Sequence, residues 1–299
     1  MYREVLDFLK MNDVEYKNGV SLATISPVRI GGEADIVAYP ACEMQFFRLV
    51  QFLINENIKH KIVGRMSNVL FSDKKYRGVI IRSDRMSSFR IYGNILTVEC
   101  GVALPYISLV LCSAGLHGFE GLSGIPGSIA GALIGNAGAF GYEISDSLID
   151  VRCFDTRRER IIVFSKNELD FSYRSSFFKR YNFPILSARF ALEERECAEI
   201  KAEMEKYREI RRKTQPTDQP SLGSTFKRPS DTVYAARLID ECGLKGFGIG
   251  GAQVSAKHAG FIVNRGGATA LDYIELSDYV KERVLERFGV SLEREIEII

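Results

Sequence analysis

The sequence predicts an α+β protein, and three observations carry that expectation. Helical periodicity with end signals recurs at 43–57, 193–214, 232–242 and 271–288. Short β-rich runs lie between and around these segments, at 36–39, 62–64, 79–82, 95–100, 148–154, 161–164, 185–190 and 261–264. Helices and strands do not alternate strictly, which disfavours a doubly wound parallel sheet. Taken in order, 43–57 follows the run 36–39 and ends at Asn57. The segment 193–214 is long and charged, and stops at the polar, proline-bounded stretch Gln215-Pro-Thr-Asp-Gln-Pro220, which reads as a connector. The segment 232–242 starts at Thr232 and stops before Gly243, and 271–288 stops before Gly289. Boundaries near Ser83 and at the 193–214 helix divide the chain, and no internal repeat or low-complexity tract is present.

Composition excludes several classes. The 299 residues suffice for one large domain or two, with a sizeable core. Forty Lys and Arg against 38 Asp and Glu give a formal charge of +2, so there is no basic field for nucleic acid and no acidic tail. Hydrophobic content of 46% with 26% charged residues argues against disorder. No run of 18 apolar residues occurs, and residues 1–10 form an amphipathic start without a signal peptide's apolar core. Six dispersed cysteines without a C-x-x-C pair read as free thiols in a reducing cytoplasm. Three scattered histidines are too few for a metal cluster.

Nine of the 26 glycines fall between Gly115 and Gly141. Their spacing lets backbone lie against a ligand or against another backbone, and the array alone does not choose between the two. Pro126 followed by Gly-Ser-Ile-Ala-Gly suggests a helix with proline in its first turn, whose free N–H groups suit a pyrophosphate. The loops Gly64-Arg-Met-Ser-Asn-Val-Leu70 and Arg29-Ile-Gly-Gly-Glu-Ala-Asp35 add small polar donors at turns, and together the three favour a large phosphate-bearing cofactor. Gly246-Phe-Gly-Ile-Gly-Gly251 matches G-x-G-x-x-G, with Asp272 at the expected distance. Its context is wrong, since a helix precedes it and strand-like residues follow.

At these residues the chain resembles the UDP-N-acetylenolpyruvoylglucosamine reductases, also called UDP-N-acetylmuramate dehydrogenases, in their shorter second subtype. The resemblance rests on seven ordered blocks: 29–35, 64–73, 121–146, Tyr173-Arg-Ser-Ser176, Gly223-Ser-Thr-Phe-Lys-Arg-Pro229, 250–264 and Leu292-Glu-Arg-Glu295. It implies an FAD-binding fold of the vanillyl-alcohol-oxidase type with a third α+β substrate domain, divided as 1–83, 84–198 and 199–299, the last strand returning toward the flavin. It also implies non-covalent FAD held by Arg29, Gly31, Gly32, Gly64, Ser67, Asn68, Gly121, Gly124, Ile125, Pro126, Gly127, Ser128, Gly131, Asn136 and Gly138. NADPH is the implied hydride source, UDP-N-acetylglucosamine enolpyruvate the implied substrate, and the cytoplasm the implied location, with no nucleic acid or membrane partner. Four positions depart from the family pattern. Met66 and Ala130 stand where glycine is usual and would crowd the flavin pyrophosphate, and Ile296-Glu297 replaces Val-Arg.

The family reaction needs a proton donor and groups that stabilise an enolate. The resemblance assigns proton donation to Ser224, with Arg174 and Glu295 as the other catalytic positions. Tyr173, Lys213, Lys227 and His258 are implied substrate binders. Each has a bland alternative. Ser224 could merely cap a backbone group beside Gly223, Arg174 could be a surface salt bridge, Glu295 a solvated carboxylate and His258 a satisfied core histidine. Two other functions compete: an oxidase sharing the flavin loops but not the Ser224 and Glu295 blocks, and a non-catalytic nucleotide-sugar binder.

Overall fold

The computed structural model describes residues 2–299. The chain opens with α1 (Tyr2–Met11), β1 (Glu15–Ser21), β2 (Glu33–Tyr39), α2 (Glu43–Asn55), β3 (His60–Val63), β4 (Val69–Leu70) and β5 (Tyr76–Arg82). Next come β6 (Phe89–Tyr92), β7 (Ile95–Glu99), α3 (Leu104–Ser113), β8 (Leu116–His117), α4 (Ile129–Gly135), β9 (Gly138–Ala139) and β10 (Tyr142–Glu143). The middle holds β11 (Leu148–Asp155), β12 (Arg160–Ser165), α5 (Phe177–Arg180), β13 (Ile185–Ala191), β14 (Glu193–Glu194) and α6 (Cys197–Thr214). The last third holds β15 (Ser221–Ser224), α7 (Ala235–Glu241), β16 (Gly248–Ile249), β17 (Ala252–Val254), β18 (Phe261–Asn264), α8 (Ala270–Phe288) and β19 (Glu297–Ile298). The four expected helices and eight expected strands are all present, with ends shifted by a few residues.

The chain divides into two compact units. Unit 1 contains Met1–Asn18, Ile36–Arg65 and Gly78–Glu209. Its main sheet has the order β12-β11-β13-β7-β6 and is antiparallel throughout. Strands β3 and β5 pair in parallel, His60 opposite Val79. The core of unit 1 runs from Val5 and Leu9 of α1 through Phe46, Leu49 and Leu53 of α2 to Phe154 and Phe190 of the sheet. In α2 these residues recur at i, i+3 and i+7, so a single helical face is buried.

Unit 2 contains Gly19–Asp35, Met66–Arg77 and Ile210–Ile299. The expected boundary near Ser83 falls inside the Gly78–Glu209 segment of unit 1, and the one at 198/199 falls near the start of α6. The reason is non-local bonding: Asn264 Nδ2 donates to Val28 O at 2.9 Å, and Asp73 accepts from Ala270 N–H at 2.8 Å. Two early loops therefore fold with the C-terminal residues. A four-stranded sheet, β15-β18-β17-β16, packs under α7 and α8, and Tyr273, Leu276, Val280 and Val284 form the buried face of α8.

The Gly246–Gly251 decoy proves to be a hairpin, β16 pairing antiparallel with β17. Asp272 serves a cap instead of a ribose. Thr269 Oγ1 accepts from Asp272 N–H at 3.0 Å, and the Asp272 carboxylate accepts from the N–H groups of Thr269 (2.9 Å) and Gly251 (3.1 Å). The Thr269 N–H holds the Asp272 carboxyl below its usual range. A depressed carboxyl stabilises the fold above the unfolded value, near 3.9, and loses that contribution as pH falls through the native value. Asp272→Ala should therefore cost about 1 kcal/mol near neutral pH. In urea titrations the gap to the wild type should close below about pH 4. A gap that persists in acid would assign the loss to packing.

Among the described residues no helix is long and apolar enough to cross a membrane. The six cysteines are free, and burial pushes the Cys100 thiol up to about 12.

Candidate active site

The glycine array starts from α3 and ends in the β9–β10 hairpin of unit 1. Ser128 caps α4 and accepts from Gly131 N–H at 3.4 Å. The N–H of Ile129 donates to Val102 O and that of Ala130 to Cys100 O, both at 3.0 Å, and Ala132 N–H donates to Ser128 O at 2.9 Å. The protein itself thus consumes the first-turn donors of α4. This corrects the expectation that the helix start offers free N–H groups to a pyrophosphate. Pro126 lies two residues ahead of Ser128 and outside the helix, between Gly124, which ends a turn, and Gly127, with Ile125 N–H bonded to Leu122 O at 2.9 Å.

The glycines serve two purposes. A Cβ at Gly121 would be driven into the Ala139 carbonyl and the Tyr142 ring, and one at Gly32 into the carbonyls of Asp73 and Lys74. These two are required by close backbone packing. Gly131 and Gly135 differ. A Cβ at Gly131 would meet nothing nearer than 3.6 Å and one at Gly135 nothing within 4 Å. In a helix each costs about 1 kcal/mol relative to alanine. Their bare surface is what a flat ligand lying on α4 needs, and the protein's own packing does not ask for it. Ala130 is partly buried and packs against the unit 1 core.

Asn136 ends α4 in the left-handed region at φ 41° and is fully buried. Its Nδ2 donates to Glu143 Oε2 at 2.7 Å and to Ser172 O at 3.1 Å, while its buried Oδ1 has no partner among the described residues. Ser172 and Ser175 exchange backbone hydrogen bonds, setting Tyr173 and Arg174 at the tip of a tight turn. Arg174 has φ 52°, a conformation uncommon for a long side chain and concentrated at functional sites. Its guanidinium donates to Gly138 O at 2.8 Å and to Asn136 O at 3.5 Å, and lies 5.1 Å from the centroid of the Tyr173 ring. The end of the array thus positions Arg174 and Tyr173 within unit 1.

In unit 2, Ser224 ends β15 opposite Phe261 of β18 and is exposed. Among the described residues no group engages its hydroxyl, so the capping alternative is not realised. The next residue, Thr225, is fully buried. Its Oγ1 lies 3.0 Å from Tyr273 OH and accepts from Ile262 N–H at 3.2 Å. Glu295 N–H donates to Thr225 O at 2.9 Å, which sets Glu295 beside the Ser224 strand. Asn68 Nδ2 donates to Glu295 O at 3.0 Å from the other side. Sequence reasoning missed Thr225 and Asp73, although both stand in matching blocks.

Met66 is buried at φ 57°, where glycine is unstrained, which explains the family's usual residue there. Ser67 and Asn68 follow it in this loop. Arg29 stands at φ 56°, with its carbonyl accepting from Asn264 Nδ2 at 3.3 Å, and Gly31 follows at φ 133°. Gly64 ends the β3 segment in unit 1. Lys227 pairs with Glu293, and its N–H donates to Glu293 O at 2.9 Å. Lys213 lies exposed in the last turn of α6. His258 Nδ1 accepts from Gly260 N–H at 3.2 Å and its ring sits edge-on to Phe261, while burial lowers its pKa below the usual imidazole value.

Comparison with known proteins gives this geometry its context. Residues 215–299 match the family model for the C-terminal domain of UDP-N-acetylenolpyruvoylglucosamine reductase, and residues 34–165 match a model for an FAD binding domain. A UDP-N-acetylenolpyruvoylglucosamine reductase of Caldanaerobacter subterraneus is 41% identical over 91% of this chain and 89% of its own length. One from Caldicellulosiruptor bescii is 38% identical over 98% of this chain and 93% of its own length. The crystal structure of the Thermus caldophilus reductase superposes with a TM-score of 0.80 at 32% identity, covering 95% of this chain and 98% of that one. Identity at this level along nearly the whole length, with both domains matched in order, places the chain in the UDP-N-acetylenolpyruvoylglucosamine reductase family.

Proposed function

We propose that the chain reduces the enolpyruvyl double bond of UDP-N-acetylglucosamine enolpyruvate to a lactyl ether, with NADPH as hydride source and Ser224 as proton donor. Family membership makes it an FAD-dependent reductase of peptidoglycan synthesis. One observation carries the residue assignment. The Glu295 N–H bonded to Thr225 O sets two of the three candidate catalytic residues beside each other, Glu295 against the end of the Ser224 strand.

The residues present fit FAD. The unfilled surface of Gly131 and Gly135, and the orphaned Asn136 Oδ1, ask for a partner that the described residues do not supply. Arg29, Gly31, Gly32, Gly64, Ser67, Gly121, Gly124, Ile125, Pro126, Gly127, Ser128, Gly131, Asn136 and Gly138 would hold it. When bound, FAD would supply hydride chemistry, the acceptor being the terminal carbon of the enolpyruvyl group. Negative charge then builds on the adjacent carbon and its carboxylate. Arg174 presents a planar two-pronged donor to that carboxylate. Glu295, in its protonated form, donates to that carboxylate, and Ser224 Oγ gives its proton to the carbon. Serine is a weak acid, but an enolate carbon is basic enough to make the transfer downhill. Tyr173, Lys213, Lys227 and His258 bind the diphosphate and sugar hydroxyls.

The C-terminal match at 215–299 is consistent with a substrate domain over 199–299, preceded by flavin subdomains proposed at 1–83 and 84–198. Free thiols support a cytoplasmic location. A steady-state assay with UDP-N-acetylglucosamine enolpyruvate and NADPH tests the reading, and an inert, flavin-loaded protein would refute it. FAD is held non-covalently, because no His or Cys lies in the loops 29–35 and 64–73. Acid precipitation should release all yellow colour into the supernatant, and flavin left in the pellet would contradict this.

A further inference from the structure

We propose that Asn68 is a positioning residue for Glu295 rather than a cofactor ligand. The proposal rests on the reading of Glu295 as catalytic. Glu295 is half-buried in irregular backbone, between Arg294, bridged to Phe226, and Ile296, which is buried. Its N–H is claimed by Thr225 O, but no strand ladder offers a donor to its carbonyl. The Asn68 side chain supplies that donor at 3.0 Å. In return, the Asn68 carbonyl accepts from Glu297 N–H at 3.0 Å. One residue therefore clips the chain on both sides of Ile296.

The clip has support beyond it. Glu297 and Ile298 pair in parallel with Val69 and Leu70. Ile299 N–H donates to Leu70 O at 2.9 Å, and Ser72 N–H donates to Ile299 O at 2.8 Å. At the far end of the same loop, the Asp73 carboxylate accepts from Ala270 N–H (2.8 Å) and Leu271 N–H (3.2 Å) at the start of α8. The loop is thus anchored, and Asn68 transmits its position to Glu295. The Thr225 side is buried and bonded to Tyr273, so it is rigid, and the Asn68 side chain fixes the carbonyl on the other face. Alanine removes this donor. Aspartate keeps the size but sets an acceptor against a carbonyl.

In FAD-loaded protein, Asn68→Ala should retain flavin in full stoichiometry. Its kcat should fall about ten- to hundredfold with KM little changed, the range for a misplaced catalytic group. Asn68→Asp should show the same loss near neutral pH and regain activity relative to wild type as pH falls, because a protonated carboxyl can again donate. Adding Asn68→Ala to Glu295→Gln should cost nothing further. In cofactor-free protein, the amides of 295–299 should exchange faster in Asn68→Ala than in wild type. Loss of FAD by a folded variant, an additive double mutant, or wild-type kcat in Asn68→Ala beside a slow Glu295→Gln would each overturn the proposal. Wild-type turnover in Glu295→Gln itself would instead sink the assignment of Glu295 on which it rests.

Discussion

Ser224→Ala should slow reoxidation of the reduced enzyme by the enolpyruvyl substrate by at least about a hundred- to ten-thousandfold, the usual cost of lost acid–base catalysis. NADPH-driven bleaching of the flavin colour requires no proton donor to carbon, and should keep nearly its wild-type rate. The structure makes this variant clean. Ser224 is exposed at the end of β15, and no described group bonds to its hydroxyl. Removing it breaks no cap, so stability should stay within about 0.5 kcal/mol. Substrate affinity should change little, since one hydroxyl is a small part of a UDP-sugar's contacts. Stopped-flow absorbance reads both half-reactions. Slowing of both would place the disturbance in the flavin site. Slowing of neither would leave Ser224 a strand residue and the proton source elsewhere.

The legibility of this chain depended on how local each signal was. Periodicity located α2 and α8 because each buries one face, as Phe46, Leu49 and Leu53 show in α2. It missed α3, where Tyr106 and Leu109 are apolar yet exposed, so no polar face marks the period. The G-x-G-x-x-G decoy was separable from a dinucleotide site by context alone, and the structure puts it in a hairpin. The seven blocks marked candidate site residues, but not what each touches. Gly32 and Gly121 are glycine because backbone carbonyls approach them, whereas Gly131 and Gly135 have open space. No spacing rule distinguishes those cases, since the crowding atoms of Gly32 lie more than 40 residues away in sequence. The same non-locality hid the unit boundaries. The bond from Asn264 to Val28 joins residues 236 apart.

Arg174→Lys should lower turnover by about tenfold or more, although it keeps the charge. Backbone strain cannot account for such a loss, because lysine and arginine share the same cost at φ 52° and the turn is held by Ser172 and Ser175. What changes is the head group. The guanidinium reaches Gly138 O and Asn136 O and lies over the Tyr173 ring. An ammonium is a compact point charge that cannot span two carbonyls in a plane or present a paired donor edge to a carboxylate. If the pairing strengthens as charge develops on the substrate, kcat and kcat/KM should fall together. If Arg174 only binds the ground state, KM should rise with kcat unchanged. The open surface at Gly131 and Gly135 is untouched, so flavin content should equal that of wild type. Wild-type turnover in this variant would return Arg174 to the role of a turn residue that braces the end of the glycine array.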